Sequence, residues 1–472
     1  MAVPALTTPS GVCLLTGEFP PDRGGVGDYT ARLAGALAAR GVPVVVLTIR
    51  RSGAAARRRW TDGATRAVVP VYAAVPAWDA RALLVVARAL RKLGPRPLLH
   101  MQYQAGAFDL GGVVHLLPLW LRAVLPRARV VTTFHDFLVP YLFPKAGPLR
   151  LALNRLLART SAAAVFTEPA DLALAGPNVR GRVVPIGSNL DRPTLTHADR
   201  ATARARLGAD DATMLVGFFG LLNRSKGVPT LLRAVRRLLD DGWPVRLALI
   251  GAATGASDPT DLAEAREVRA LVAGLGLSEA VTATGYLAPR DVSAALVACD
   301  AVALPFVDGA SARRGTLMAA IAHGVPIVTT RPPASSATAE SVGDTSGAAP
   351  DAVAVVIGAD ALRHGDGVLL VPPGDPAAMA AALARLADDP ALRRRIAAGA
   401  ESLASRIGWG AIAAEHADVY AAALASHPVV RAVWSARATP RAPTPGATRS
   451  ASTARDSSAA VAAAAGRARR ET

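Results

Sequence analysis

The segment LPFVDGASARRGTLMAAIAHGVPIVTT, residues 304–330, is predicted to form a strand, a loop, a short helix and a second strand in direct succession. The loop leads into a helix N-terminus, where free backbone N–H groups and the positive end of the helix dipole favour an anion. Arg313, Arg314 and Gly315 occupy this position. Gly324 is suited to end the helix and Pro326 to open the next strand. The segment predicts a phosphate site, although an ordinary strand-to-helix turn with two solvated arginines would have the same sequence pattern.

Length and composition predict a globular protein of two domains. The chain has 472 residues, too many for one ordinary core, and 51% of them are hydrophobic but only 4% aromatic. Cys13 and Cys299 lie in apolar runs, which favours buried thiols over a disulfide. The N-terminus lacks a basic and then apolar leader, and no run of about 18 apolar residues occurs. We therefore expect neither a signal peptide nor a membrane span.

Positive charge is concentrated in the N-terminal part of the chain, within a net charge of +17. Residues 1–190 contain 23 Lys and Arg against 9 acidic residues, a net +14. Residues 191–427 contain 22 against 25, and residues 428–472 contain 8 against 2. The sequence has neither a nucleic-acid-binding motif nor aromatic residues interleaved with the basic ones, so we expect no nucleic acid partner. An anionic membrane surface and a phosphorylated acceptor both fit the charge.

The N-terminal segment is predicted to open a parallel sheet. A strand at 12–15, the loop TGEFPPDRGGVGD, a helix and a strand at 43–48 form a βαβ unit. After Gly25 and Gly27, a dinucleotide site would need a third glycine where the chain has Thr30. The second strand also runs into arginines at positions 50 and 51, where an NAD site has an acidic residue. The loop therefore predicts either close backbone approach to a ligand or a plain wide turn.

Polar residues accompany the next predicted strands, at 97–103, 129–136, 162–167 and 182–187. In open α/β sheets ligands bind beyond the carboxyl ends of the strands, and we assign His100, His135, Asp136 and Glu168 to that edge. A histidine at a strand end is often only a hydrogen-bonded structural group. Because His135 stands next to Asp136 on the expected cleft edge, we favour a functional role for it.

The strand and helix pattern restarts after a polar stretch at 188–213. The strand MLVGFFG, the loop LLNRSKG and an amphipathic helix predict the opening of a second doubly wound domain. Arg224 and Lys226 lie at its strand-to-helix turn, where cations can bind phosphate oxygens, although solvated loop residues would have the same spacing. Residues 331–363 are predicted to form a mobile loop, and the chain beyond residue 427 to be disordered. The sequence contains no Asp-x-Asp motif and no cluster with zinc spacing.

Five motifs in this order resemble the bacterial family 4 glycosyltransferases of the two-Rossmann GT-B fold. They are GEFPPDRGGVGDYTARLAGALAARG, TTFHDF, GFFGLLNRSKGVPTLLRA, the AVALPF to PIVTT block and GVLLVPPGDP, over about residues 10–425. The resemblance implies an α/β fold with two Rossmann-like, doubly wound domains facing across a cleft. Residues 1–190 would form the acceptor-side domain and residues 191–407 the nucleotide-sugar-binding domain. Residues 408–427 would be a helix packing back on the N-terminal domain, and residues 428–472 an Ala/Arg-rich tail.

The resemblance also implies an activity and a set of site residues. The activity is transfer of a sugar from a UDP- or GDP-linked donor to a glycan, lipid-linked or small-molecule acceptor, with retention of configuration and without a metal or other cofactor. The catalytic residues it implies are His135, near the transferred sugar, and Lys226, which would neutralise the diphosphate. We add Arg224 as the substitute for a family arginine that this chain lacks. By the resemblance Gly25 and Gly27 would border the donor phosphates or the acceptor. The loop that would cap the donor phosphate and ribose contains Ser311, Arg313, Arg314, Gly315, Thr316 and Leu317, and we add Asp308 to the donor-binding residues. A sugar-nucleotide epimerase and an inactive sugar-nucleotide-binding protein are the alternative functions.

Several positions depart from the family pattern. Leu221 stands where the family has an arginine, Ser311 and Ala319 where it has two glutamates that hold the donor, and Ile186 where it has an asparagine. We expect Asp308, Arg313 and Arg314 to supply alternative donor contacts.

The cysteines in apolar runs favour a reducing compartment, so we expect a cytoplasmic protein. The charge distribution adds the hypothesis that it docks at the inner face of the membrane; the alternative is an arginine-rich surface that only keeps the protein soluble. Apolar helices edged with arginine are predicted near 81–92, 117–125 and 148–160. Such helices either contact the membrane interface or pack on the core with a solvated basic face. Membrane docking requires that the arginines share one face of the protein, because their attraction to lipid acts over only about 8 Å at physiological salt.

Overall fold

The computed structural model describes residues 11–22, 24–50, 56–137, 147–251, 259–332, 354–357 and 360–425. Within these residues the chain forms two mostly parallel sheets of eight strands each. The first sheet has the order β3-β4-β2-β1-β5-β6-β7-β8. Its strands are β1 (Val12–Thr16), β2 (Val44–Ile49), β3 (Arg57–Thr61), β4 (Val68–Val75), β5 (Leu98–Tyr103), β6 (Arg129–Phe134), β7 (Ala163–Phe166) and β8 (Gly181–Val183).

Helices cover both faces of the first sheet, which explains why a central strand such as VCLLT is buried along its whole length. The helices are α1 (Gly25–Ala39), α2 (Ala80–Arg91), α3 (Leu117–Val124), α4 (Gly147–Thr160) and α5 (Pro169–Ala175). Leu33 and Leu37 of α1 belong to the core on one face. Leu90 of α2 and Leu157 of α4 belong to the core on the opposite face.

The second sheet follows α6 (His197–Arg206) and has the order β11-β10-β9-β12-β13-β16-β15-β14. Its strands are β9 (Met214–Phe219), β10 (Val245–Ile250), β11 (Val281–Gly285), β12 (Ala301–Leu304), β13 (Ile327–Thr330), β14 (Ala354–Ile357), β15 (Asp360–His364) and β16 (Gly367–Val371). Its helices are α7 (Val228–Asp240), α8 (Pro259–Gly274), α9 (Pro289–Ala298), α10 (Gly315–His323), α11 (Pro376–Asp388) and α12 (Pro390–Ala404). The strand–loop–helix–strand succession predicted for residues 304–330 is present as β12, α10 and β13.

The last helix, α13 (Trp409–Ala425), packs against α1 of the first domain. Ile412 and Tyr420 of α13 share a core with Leu33 and Leu37 of α1. The Trp409 indole N–H donates to the Ser188 carbonyl at 2.6 Å, which ties the start of this helix to the segment that connects the two sheets. The chain therefore crosses to the second sheet and returns to the first.

Several local predictions need correction. The hairpin of β3 and β4 has no counterpart among the predicted strands, and β8 is shorter than the strand predicted at 182–187. Residues 354–357 and 360–364 form an antiparallel strand pair, although we predicted a loop over 331–363. Residues 333–353 and 358–359 of that loop lie outside the described residues, as does the tail from 428. His100 lies inside β5 and is fully buried, so it is not at the sheet edge.

Two further observations bear on the sequence analysis. Cys13 and Cys299 are buried free thiols, as predicted. Among the described helices, none combines the length and apolar character needed to cross a bilayer.

Candidate active site

The loop between β12 and α10 joins the two sheets at the carboxyl ends of their strands. The Ala312 N–H donates to Glu168 Oε1 at 3.0 Å, and Glu168 lies just beyond the end of β7. Nη1 of Arg313 lies 3.1 Å from Asp171 Oδ2 and 3.8 Å from Asp136 Oδ1. Because Asp136 follows β6, these contacts bring the strand ends of the first sheet next to the N-terminus of α10.

The three carboxylates at this junction share one electrostatic environment. Burial raises the pKa of Asp136, Glu168 and Asp171, and the charge of Arg313 opposes the rise in each case. We expected Arg313 to cradle a donor phosphate, but the structure places it between the domains, paired with Asp171. Ser311 lies beside Glu168 and also opposes the rise of its pKa. Donor contacts of Ser311 and Arg313 stay predictions.

Two cations meet over one aromatic ring on the second domain. Nζ of Lys226 lies 5.2 Å from the centroid of the Phe306 ring, and Cζ of Arg314 lies 4.6 Å from it. Asp308 is exposed and forms an ion pair with Arg314. Burial, followed by the charge of Arg314, lowers the pKa of Lys226 from 10.5 to about 8, while Asp308 opposes this. The described groups at this site thus include two cations and only one balancing carboxylate.

The backbone before α7 explains how Lys226 reaches this position. Residues Arg224–Lys226 form a single 3₁₀ turn, and Gly227 follows in the left-handed conformation at φ 66°. A Cβ at Gly227 would lie 2.0 Å from the Pro305 carbonyl oxygen, so only glycine lets the turn pack on the end of β12. Arg224 is exposed in the same turn, and its charge acts on Glu264 of α8. The structure therefore brings Lys226 to Phe306 and leaves Arg224 at the surface.

The N-terminus of α10 lies beside the two cations. Arg314 is its N-cap residue and no side chain caps it among the described residues. Gly315 is exposed in open space. The Thr316 hydroxyl is buried without a hydrogen-bond partner in the described part of the chain. This arrangement offers backbone N–H groups, one hydroxyl and two cations to an anion. The donor contacts of Arg314, Gly315 and Thr316 stay predictions.

Leu317 does not fit the predicted donor contact. Its side chain is fully buried among the core residues of the second domain. Its N–H donates to the Arg314 carbonyl at 2.8 Å, so neither group faces a ligand. The sequence pattern indicated the helix start correctly, but the apolar residue in its first turn packs inward.

The glycine-rich segment near β1 needs a second correction. Gly25 and Gly27 lie in the first turn of α1 rather than in a loop, and Glu18 Oε1 accepts both the Val26 and the Gly27 N–H at 3.0 Å. A Cβ at Gly24 would lie 2.1 Å from the Glu18 carboxylate oxygens. A carboxylate of the chain itself therefore accepts the backbone N–H groups beside the glycines that we expected to border a donor phosphate or the acceptor. The Gly25 side of the turn is open and exposed.

His135 is held by a buried polar network of the first domain. Its Nε2 donates to Gln102 Oε1 at 3.0 Å, and its ring meets Tyr29 edge-on at 4.7 Å between centroids. The Gln102 amide nitrogen lies 3.1 Å from His100 Nε2, and His100 Nδ1 lies 2.7 Å from the Tyr420 hydroxyl of α13. Burial, together with the charge of His416, lowers the pKa of His135 to about 3. Its imidazole is therefore neutral at physiological pH, with Nδ1 as the acceptor.

The sequence analysis missed several residues of this site, among them Gln102 and Glu18. Gln102 could have been noticed, because it alternates with His100 inside an apolar strand and polar side chains buried there need partners. Tyr420 and His416 could not, because they lie more than 300 residues from the partners that they contact, His100 for Tyr420 and Tyr29 for His416.

A guanidinium without a hydrogen-bond partner among the described residues lies on the first domain. Both terminal nitrogens of Arg150 on α4 are buried without a hydrogen-bond partner in the described ranges. The charge of Arg150 acts on Tyr103, His115 and Asp136, opposing the burial-driven rise in the pKa of Asp136. A buried cation without a partner is costly, which makes this position suited to an anionic ligand group.

Comparison with known proteins assigns the two halves of the chain. Residues 24–187 match the family model described as Glycosyl transferase 4-like domain, and residues 213–389 match Glycosyl transferases group 1. A D-inositol 3-phosphate glycosyltransferase of Streptomyces griseus is 31% identical over 285 residues, which cover 58% of this chain and 55% of that relative. The match thus spans about half the length of the relative.

Solved structures share the two-domain architecture. Sucrose-phosphate synthase from Thermosynechococcus elongatus, 21% identical, aligns with a TM-score of 0.61 over 87% of this chain and 98% of that one. HepE of Anabaena, solved in complex with UDP-glucose, aligns at 19% identity with a TM-score of 0.60 and the same coverage. The predicted α/β fold of two doubly wound domains is confirmed. The chain belongs to the family 4-like glycosyltransferases with the GT-B fold.

Proposed function

We propose that the protein transfers a sugar from a nucleotide-diphosphate sugar to an acceptor hydroxyl. The observation that carries the proposal is the pair of cations, Lys226 and Arg314, over Phe306 at the uncapped N-terminus of α10. A diphosphate would supply the negative charge that this site lacks. Binding of UDP-glucose by the structurally similar HepE supports a nucleotide sugar as the donor.

The proposed chemistry requires charge stabilisation at the leaving group. The bond between the anomeric carbon and the diphosphate oxygen breaks, that oxygen keeps the electron pair, and the acceptor oxygen bonds to the anomeric carbon and loses its proton. Lys226, Arg314 and the free N–H groups of α10 would stabilise the new charge on the diphosphate. We infer retention of configuration from family membership.

Metal independence belongs to the same proposal. Lys226 and Arg314, which meet over Phe306, would neutralise the diphosphate, a task that a divalent ion has in other enzymes. We expect a chelator to leave the transfer rate unchanged. A rate that depends on added Mg²⁺ or Mn²⁺ would contradict this part of the proposal.

The first domain supports an acceptor with an anionic group. The buried guanidinium of Arg150 has no partner among the described residues and lies near Asp136 at the cleft edge. The Streptomyces relative is named for a phosphorylated acceptor, D-inositol 3-phosphate, which has the chemistry that an unpaired arginine would bind. We therefore propose a phosphorylated or carboxylated acceptor, which includes glycans and lipid-linked glycans that carry such groups.

Labelled donors test the function directly. The protein is incubated with UDP- and GDP-sugars labelled in the sugar, with and without a panel of anionic acceptors, and the products are separated. Transfer, or slow release of free sugar without acceptor, is the expected result. An isomerised nucleotide sugar would identify an epimerase instead, and binding without turnover a catalytically inactive protein.

A further inference from the structure

The outward side of α2, α3 and α4 forms one continuous layer on the first domain. The inward residues of these helices, Leu90, Leu121 and Leu157, belong to one core on the same face of the first sheet. The helices also pack side by side, α2 against α3 and α3 against α4. Helices that cover the same sheet face turn their opposite sides outward in a common direction. The helices that carry these arginines therefore face one common side of the protein, as membrane docking requires.

Leucine and arginine share this outward side, which we call the leucine–arginine face. Leu84 of α2 is 47% exposed, Leu119 of α3 is 40% exposed and Leu149 of α4 is 65% exposed. Arg88 and Arg91 lie one and two turns beyond Leu84 and are exposed as well. Arg122 is exposed on α3, one turn from Leu119, and donates to the Thr160 carbonyl at the end of α4.

The cations of this face are not balanced along their helices. Residues 80–91, 117–124 and 147–160 contain no aspartate or glutamate. Asp79, which precedes α2, pairs with Arg81 at 2.7 Å at the start of that helix, away from Arg88 and Arg91. On α7 of the second domain, by contrast, Arg236 pairs with Asp240 of the same helix at 2.7 Å. The leucine–arginine face thus combines exposed apolar side chains with a positive field, which is the pattern of a surface that lies in the headgroup region of a bilayer.

We propose that the leucine–arginine face docks on an anionic lipid bilayer. Its arginines meet the anionic headgroups, and Leu84, Leu119 and Leu149 enter the boundary between headgroups and acyl chains. A nucleic acid fits less well, since its charged and hydrated backbone offers the exposed leucines no apolar surface to pack on. Aromatic stacking residues also do not occur on these helices apart from Trp120. The proposal does not depend on which sugar or acceptor the protein uses.

Vesicle co-sedimentation of the full chain tests the arginines. Wild-type protein should bind vesicles of phosphatidylcholine with phosphatidylglycerol and should not bind phosphatidylcholine alone. The variant with Arg88→Gln, Arg91→Gln and Arg122→Gln should lose about fivefold in affinity for each arginine removed. The matched control, Arg385→Gln, Arg393→Gln and Arg394→Gln, removes the same charge from α11 and α12 and should bind like wild type.

The leucines need a separate test. Leu119→Gln with Leu149→Gln should weaken the binding that persists at high salt, because only apolar insertion resists screening. Equal binding to neutral vesicles, equal losses in the control, or leucine variants without effect would each overturn the proposal. So would loss of binding on replacing Arg449, Arg455 and Arg467 of the tail, or retained affinity for duplex DNA with none for vesicles.

Discussion

Replacing Lys226 by methionine should make the free protein more stable and the enzyme slower. The pKa of Lys226 falls from 10.5 to about 8 because burial and Arg314 disfavour its charged form. At pH 7 the unfolded chain holds the proton more tightly than the folded one, at a cost to folding of roughly 3 kcal/mol. Methionine keeps the length of the side chain without the charge. After subtracting ~1 kcal/mol for the lost contact with Phe306 and discounting for partial exposure, we expect a gain of about 1–2 kcal/mol.

The stability difference between wild type and Lys226→Met should depend on pH. Below pH 8 the ammonium is charged in both states and the full cost is present, and the cost disappears as the pH rises from about 8 towards 10.5. Urea unfolding of wild type and Lys226→Met should therefore differ at pH 7 and converge near pH 10. Turnover of the nucleotide sugar should fall ~10²–10³-fold in the variant, because a preorganised charge at the leaving group is lost.

A neighbouring residue supplies the control. Arg224→Met removes a cation from the same turn but from an exposed position, so stability should change by no more than about 0.5 kcal/mol. If Lys226→Met destabilises the free protein, then the ammonium already has a partner before the donor binds. If turnover is unchanged with the fold intact, Lys226 does not stabilise the leaving group.

Three further predictions concern other parts of the site. Arg314→Ala should weaken nucleoside diphosphate binding by ~1.5–3 kcal/mol and leave nucleoside binding nearly unchanged, because a phosphate contact is lost; calorimetry that finds equal losses for both ligands would contradict this. Arg150→Gln should raise the KM for an anionic acceptor ~10–100-fold and leave the KM for the donor unchanged. Arg155→Gln should change neither KM, because the Arg155 guanidinium already donates to the Leu174 carbonyl on the same domain. A matching change in the donor KM would refute the acceptor assignment. Titration of His135, whose pKa is about 3, should cause no change in the rate between about pH 5 and 8. Gln102→Glu should stabilise the His135 imidazolium, raise its pKa and introduce a loss of activity towards acid pH. Identical pH profiles of wild type and variant would exclude His135 from the reaction.

Most of the architecture could be predicted from the sequence because it depends on local periodicity. Apolar runs of strand length alternate with amphipathic helices, and such alternation predicts parallel sheets in two domains. The positions of Lys226 before a glycine and of Arg314 at a helix start could be predicted for the same reason, because consecutive residues determine a strand-to-helix turn. Where this reasoning was wrong, as for the strand pair at 354–364, short irregular segments lacked a clear period.

Only the tertiary structure decided which charged groups already have partners within the chain. The Glu18 carboxylate accepts the Val26 and Gly27 N–H groups in the first turn of α1, so these two groups are not free for a phosphate. Arg313 and Arg314 are adjacent in sequence, yet one pairs with Asp171 of the other domain and the other faces Phe306. Sequence spacing shows which residues can bind an anion, but partners separated by more than 100 residues meet only through packing of the domains. The same reason explains why a helix at the end of the described chain holds the network around His135.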